Sequence, residues 1–489
     1  MNKKLNDALN EVSDKHLSEV ENYKRPSRRP YWTAAVAAVL ALVIGITAIS
    51  GGFSPTVPVI PGTTPNPPVL NGITNAGNPN LSNLIAAPVY PKMTPMPQEN
   101  DYSSYLDYRN ALNDWEGQYY TAPQGYADNL TNFFLESAHQ FLSSEENSAY
   151  SPLSLYLALA MLAETTGGNS RQQILDVLGS DSIESLREQA NHIWNAHYRD
   201  DGATTLLLAN SLWLDSGFPF HQNTADLLAE SYHASSFHGN LSSAAMNKQL
   251  QAWLNANTGG LLQEQVEETT FPLGTAFALV NTVYFTAGWD NEFDAQNNQD
   301  MLFHCDGYDL MTTFMCETLS ESTYYRGDHF GAVRLVLSGK NAMWLILPDE
   351  GYSLADILKS DDYLQMTMDP WQWKNRSKCH INLKLPKFDV SNDDTDIIGE
   401  LQNMGITDVF GAADFSPLTS TDVQLSRATH AARVIIDEEG CMAAGFTFLA
   451  VGKGPSLCPK IDFTLDRPFL FVVSSQDNLP MFIGTVTQP

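Results

Sequence analysis

The stretch YWTAAVAAVLALVIGITAIS, residues 31–50, runs for twenty residues without a charge, and it constrains this chain more than any other feature. As a helix from Trp32 to Ile49 it would extend about 27 Å, close to the roughly 30 Å apolar core of a bilayer. A membrane span is the first expectation. Lys24, Arg25, Arg28 and Arg29 precede the run and no cation follows it closely. By the positive-inside rule, residues 1–30 then form a cytoplasmic tail, with Tyr31 and Trp32 as interfacial anchors. The rival is a cleaved secretory signal ending near Ala48-Ile49-Ser50, although the leader and the apolar stretch both exceed the usual lengths. Either way the remainder is exported, as the outer part of a single-pass cell-membrane protein or as a secreted one.

Residues 51–123 read as a spacer. Residues 51–100 are rich in proline, glycine and asparagine, as in PVIPGTTPNPPVLNGITNAGNPN, and these fifty residues span between roughly 40 Å as a coil and about 155 Å as a polyproline rod. Residues 101–123 are aromatic and polar. Across the whole chain 56 acidic residues oppose 27 basic ones, a net charge of −29 that repels nucleic acid and reads as a well-solvated surface. Five scattered cysteines with no C-x-x-C pair indicate neither a zinc site nor a full disulfide framework, while a Cys305–Cys316 bridge stays open. No metal or cofactor is implied.

The body, residues 124–489, mixes helical and extended patterns. Leu130, Phe133, Phe134, Ala138, Phe141 and Leu142 recur at helical spacing. SPLSLYLALAMLAETTGG follows as a nearly all-round apolar helix, opened by Ser151-Pro152 and closed by Gly167-Gly168. LLLANSLWLD, AFALVNTVYF, GAVRLVLS, NAMWLILP, CHINLKLPKFDV and FLFVVSS read as strands. The class is α+β. H-E-x-x-H, G-x-S-x-G and paired C-x-x-C patterns are absent, and Gly452-Lys453-Gly454 lacks the companions of a phosphate loop, so an enzyme is not indicated.

Over about 365 residues the chain resembles the serpins, of bacterial type, with an added N-terminal membrane anchor. The matching segments stand in the family's order: SPLSLYLALAMLAETTGG, LVNTVYFTAGWDNEFD, MWLILPDEG, LKLPKFDV, LQNMGITDVF, ADFSPL, IDEEGCMAAG, and DRPFLFVV with FIGTVTQP. The resemblance implies a large central mixed β-sheet with surrounding helices, a small β-barrel, and an exposed reactive loop toward the carboxyl end. It also implies a monomeric domain whose partners are serine proteases. In inhibitory members a protease cleaves the loop, and the freed arm enters the central sheet with the acyl-linked protease attached.

The loop's own residues meet that demand. After the hinge residues Glu438, Glu439 and Gly440, a strand alternating with period two turns Cys441, Ala443, Gly445 and Thr447 inward, all small, and Met442, Ala444, Phe446 and Phe448 outward. No charge or proline interrupts residues 441–450. Family spacing puts the cleaved bond near Gly454. Lys453-Gly454, with Pro455 close behind, suits a trypsin-like enzyme, whereas Leu449, Val451 and Leu457 suit an elastase- or chymotrypsin-like one in another frame. By resemblance, Ser151, Ser154, Asn281 and His430 form a cluster beneath the middle of the sheet. Trp289 marks the top, where insertion begins, and Lys387 pairs with Glu438. A non-inhibitory serpin acting as a binding or chaperone module is the alternative.

Overall fold

The computed structural model describes residues 36–48, 83–438 and 459–489. At its centre lies the helix Pro152–Thr165, whose fourteen residues are all buried. Ser151 caps it, its Oγ accepting the Ser154 amide at 3.2 Å, and Pro152 supplies a preset φ at the first helical position. A helix apolar on every side needs cover on every side. Two sheets and neighbouring helices provide it. The helix expected around Leu130–Leu142 runs from Leu130 to Phe141, burying Leu130, Phe133, Phe134 and Ala138.

In chain order the strands are β1 (Val36–Ala48), β2 (Leu84–Ala86), β3 (Ser148–Tyr150), β4 (Arg199–Asp200), β5 (Thr204–Asp215), β6 (Ala234–Gly239), β7 (Thr275–Ala287), β8 (Gln299–Cys305), β9 (Tyr308–Arg326), β10 (Phe330–Val336), β11 (Ala342–Pro348), β12 (Arg376–Pro386), β13 (Phe388–Asp396), β14 (Val423–Ile436), β15 (Lys460–Thr464), β16 (Phe469–Ser474) and β17 (Pro480–Val486). The central sheet has the order β13-β14-β1-β7-β5-β6-β2, with β4 beside β5. The second has the order β15-β12-β9-β10-β11-β16-β17-β3, with β8 beside β9. Parallel pairing of β5 with β6 and of β12 with β15 makes both sheets mixed. The central helix packs on β7 and β17, so it joins the two layers.

Most of the expected strands appear within a few residues of their sequence limits. CHINLKLPKFDV is the exception. It divides at Lys387 into β12 and β13, which belong to different sheets. Cys305, Cys316 and Cys379 are free thiols, so the Cys305–Cys316 bridge left open by spacing is not formed.

The largest departure concerns residues 31–50, expected as a membrane-spanning helix. Val36–Ala48 is instead a strand of the central sheet, antiparallel to β14 on one side and to β7 on the other. No described helix is long and apolar enough to cross a membrane. The physical reason lies in what the composition permits: VAAVLALVIGITA is rich in β-branched residues, and a strand flanked on both sides satisfies its backbone groups as fully as a helix does.

The extension before the body packs on it. β2 pairs with β6 and covers that edge of the central sheet. Trp115 Nε1 donates to Thr94 O at 2.9 Å, and Tyr119 Oη donates to Asp201 Oδ2 at 2.8 Å beneath the Arg199 guanidinium, 4.1 Å from its ring.

Candidate functional site

The site is the lane between β7 and β14, and β1 lies in it. Val36 stands opposite Ile436 and Ala287 at one end, and Ala48 stands opposite Val423 at the other. A chain that left Ile436 and doubled back would run antiparallel to β14, the direction that β1 takes.

At the top, Trp289 is buried edge-on against Phe293, with ring centroids 5.5 Å apart. Its Nε1 donates to the carbonyl of Asp437 at 2.9 Å, fixing the residue that follows β14. Next in the chain, Glu438 accepts from Lys387 Nζ at 2.6 Å and from Asn298 Nδ2. Burial opposes charge on this carboxyl, but the ammonium and the amide outweigh it and hold the pKa below the usual glutamate value. The pair expected between Lys387 and Glu438 is therefore present. Asn298 was not legible, since nothing in NEFDAQNNQD distinguishes it.

Midway down, Ser154 Oγ donates to Asn281 Oδ1, and Asn281 Nδ2 donates to Asn210 Oδ1 at 2.5 Å. Asn210 in turn donates to Tyr232 O at 2.6 Å, and all three side chains are fully buried. Asn281 and Asn210 are direct cross-strand partners on β7 and β5, which puts both amides on one face. Asn210 was missed, although an asparagine amid the apolar run LLLANSLWLD is the signal that marks a buried polar link.

His430 does not join this chain. Its ring is buried beside Phe141, with centroids 6.0 Å apart, and its Nε2 meets no partner. Burial lowers its pKa to about 4, so the imidazole is neutral at pH 7. The expected grouping of His430 with Ser151, Ser154 and Asn281 is corrected here for a topological reason. Leu42 of β1 is the register partner of both His430 and Asn281, so one strand stands between them. With strands about 4.8 Å apart, that interposes roughly 10 Å.

The described chain leaves the sheet at Glu438 and resumes at Pro459, whose carbonyl accepts the His380 amide at 2.9 Å before β15 pairs with β12. Glu439, Gly440, Cys441, Met442, Ala443, Ala444 and Gly445 of the hinge lie outside the described residues. So do Val451, Lys453, Gly454, Pro455 and Leu457.

The comparisons with known proteins agree with this architecture. The family model described as "Serpin (serine protease inhibitor)" matches residues 128–489. The alpha-1-antitrypsin-like protein GS55-MS of Ictidomys tridecemlineatus is 27% identical over 387 residues, covering 76% of this chain and 91% of that protein. Serpin-ZX of Arabidopsis thaliana is 28% identical over 373 residues, covering 71% and 93%. Neither name bears on the bacterial type expected from the sequence. Among solved structures, the thermophilic serpin tengpin in its native state superposes with a TM-score of 0.65 at 24% identity, covering 76% of this chain and 96% of its own. Arabidopsis AtSerpin1 in its native stressed conformation gives 0.64 at 25%, covering 75% and 100%. With the family pattern spanning most of the chain and both sheets arranged to match, the chain belongs to the serpin family.

Proposed function

We propose that this chain is a suicide-substrate inhibitor of serine proteases. The serine Oγ of the protease attacks the carbonyl of Lys453, the bond to Gly454 breaks, and an ester joins the two proteins. The freed arm that begins at Cys441 then enters the central sheet beside β14 and carries the acyl-enzyme with it. The observation that carries this reading is the lane between β7 and β14. It accommodates a strand of thirteen residues, antiparallel to both neighbours, starting beside the residue where the loop begins. The small inward register of Cys441, Ala443, Gly445 and Thr447 supports the same motion.

In this reading Ser154 and Asn281 tie the sheet to the helix below it, while Trp289, Lys387 and Glu438 hold the loop's point of departure. A basic residue at the cleaved bond favours a trypsin-like target. The arginines and the uncharged run before the domain support export. Mixing the protein with trypsin-, elastase- and chymotrypsin-like proteases tests the inhibitor reading. A covalent complex that survives denaturant is expected with at least one. Clean loop cleavage by all of them, with no complex even after Val36–Ala48 has been displaced from the lane between β7 and β14, would refute it.

The second reading, a non-inhibitory serpin acting as a binding or chaperone module, is favoured by one observation: the lane is already filled by β1. Loop cleavage in protein whose β1 has been displaced from the lane separates the two readings, because only an inserting loop then raises the melting temperature.

A further inference from the structure

The lane is filled by a segment from the far end of the chain. Residues 36–48 lie far ahead of the body, which the family match begins at residue 128, yet they take the place, direction and length that the reactive arm would take. Only one strand fits, since β7 and β14 pair with the two edges of β1 along almost its whole length. Meanwhile the two ends of the loop keep their anchors, Glu438 against Lys387 and Asn298, and β15 against β12. The lane is therefore filled without a strand from the loop.

The two candidate occupants can be compared by sequence. VAAVLALVIGITA and CMAAGFTFLAVG both lack charge and proline, so either can enter. The first contains Val36, Val39, Val43, Ile44, Ile46 and Thr47, whereas the second contains only Thr447 and Val451 as β-branched residues. By strand propensity the amino-terminal segment is the stronger occupant. Its seat also accounts for the unpartnered Nε2 of His430, which Leu42 separates from the amide of Asn281 across the lane.

We propose that Val36–Ala48 is a built-in competitor of the reactive loop, which keeps the inhibitor off while seated between β7 and β14 and turns it on when drawn out into a bilayer. This rests on the inhibitor reading above. In the seated state a protease cuts the loop, the arm finds no lane, water hydrolyses the acyl ester, and the protease departs with its serine restored. The segment cannot occupy sheet and membrane at once. The uncharged run that contains it has the length of a bilayer core, so lipid is the partner suited to withdraw it.

The test uses the full chain and a full-length variant carrying Val39→Pro and Val43→Pro, which removes two ladder donors from the strand. Hydrogen exchange is followed at the amides of Asn281–Phe285 and Thr429–Ala432. In detergent-free buffer the wild type is expected to protect them, and the variant to release them by roughly a hundredfold or more. The variant is also expected to form protease complexes several-fold more efficiently. Adding phosphatidylcholine vesicles to the wild type is expected to reproduce the variant. Equal exchange in the two chains in buffer would overturn the competitor, and amides that stay protected in vesicle-bound protein would overturn the bilayer as its releasing partner. Protection in the wild type and release in the variant, with complexes from neither, upholds the occlusion and overturns the inhibitor reading instead. Should the proline variant fail to fold, Ala41→Cys with Ala431→Cys provides the same answer. These positions are register partners, and an oxidative crosslink between them, mapped by mass spectrometry, forms only if the strand is seated. Its absence would count against the proposal.

Discussion

Replacing His430 with glutamine should remove a defined portion of this protein's sensitivity to acid. The imidazole is buried, lies against Phe141 and has no partner at Nε2, so burial lowers its pKa from the ordinary 6.5 to about 4. The unfolded chain binds the proton near pH 6.5, whereas the folded chain does so only near pH 4. Stability from the neutral ring is therefore complete above pH 6.5 and lost as the pH falls through about 4. A tenfold change in proton affinity is worth about 1.4 kcal/mol, so the full effect is about 3 kcal/mol. Urea unfolding of wild type and His430→Gln at pH 7, 5.5 and 4 would measure it. With a slope near 3 kcal/mol per molar, the wild-type midpoint should fall about 1 M further than that of the variant. Carboxylates and the other histidines titrate in both chains and cancel in the difference. Midpoints that fall in parallel would refute the reasoning, and with it the burial of an uncharged ring beside the lane.

Three further outcomes are expected. Asn281→Ala leaves Ser154 Oγ and Asn210 Oδ1 without the partners they have now, and should cost about 2–5 kcal/mol; a double-mutant cycle with Ser154→Ala should give a coupling near 1 kcal/mol or more, read from denaturant midpoints. Lys387→Met should raise the pKa of Glu438 and cost about 1 kcal/mol, discounted for the half-exposed ammonium; the loss should shrink as salt is added, and a salt-independent loss would point to packing instead. Lys453→Ala should abolish complex formation with a trypsin-like protease while leaving the melting temperature within about 1 °C, and an unaffected complex would move the cleaved bond to another frame.

Elements set by local pattern were legible, and those set by distant partners were not. Pro152–Thr165 announced itself through Ser151-Pro152 and an unbroken apolar run, because capping and burial act within a few residues of one another. Asn281 and Ser154 were recognised, yet the link that completes them, Asn210, depends on which strand lies beside β7. CHINLKLPKFDV shows the same limit: its residues favour extension, but only the packing of two sheets divides it at Lys387.

Residues 31–50 mark the boundary most clearly. The sequence by itself determined that this run must leave water and must have every backbone group satisfied, since it carries no charge over twenty residues. Which partner satisfies them is a non-local matter. A helix satisfies its own groups and needs only lipid around it, whereas a strand requires two others at the correct spacing. Only the tertiary structure supplies β7 and β14 with a lane one strand wide between them, and so only it decided that Val36–Ala48 lies in the sheet.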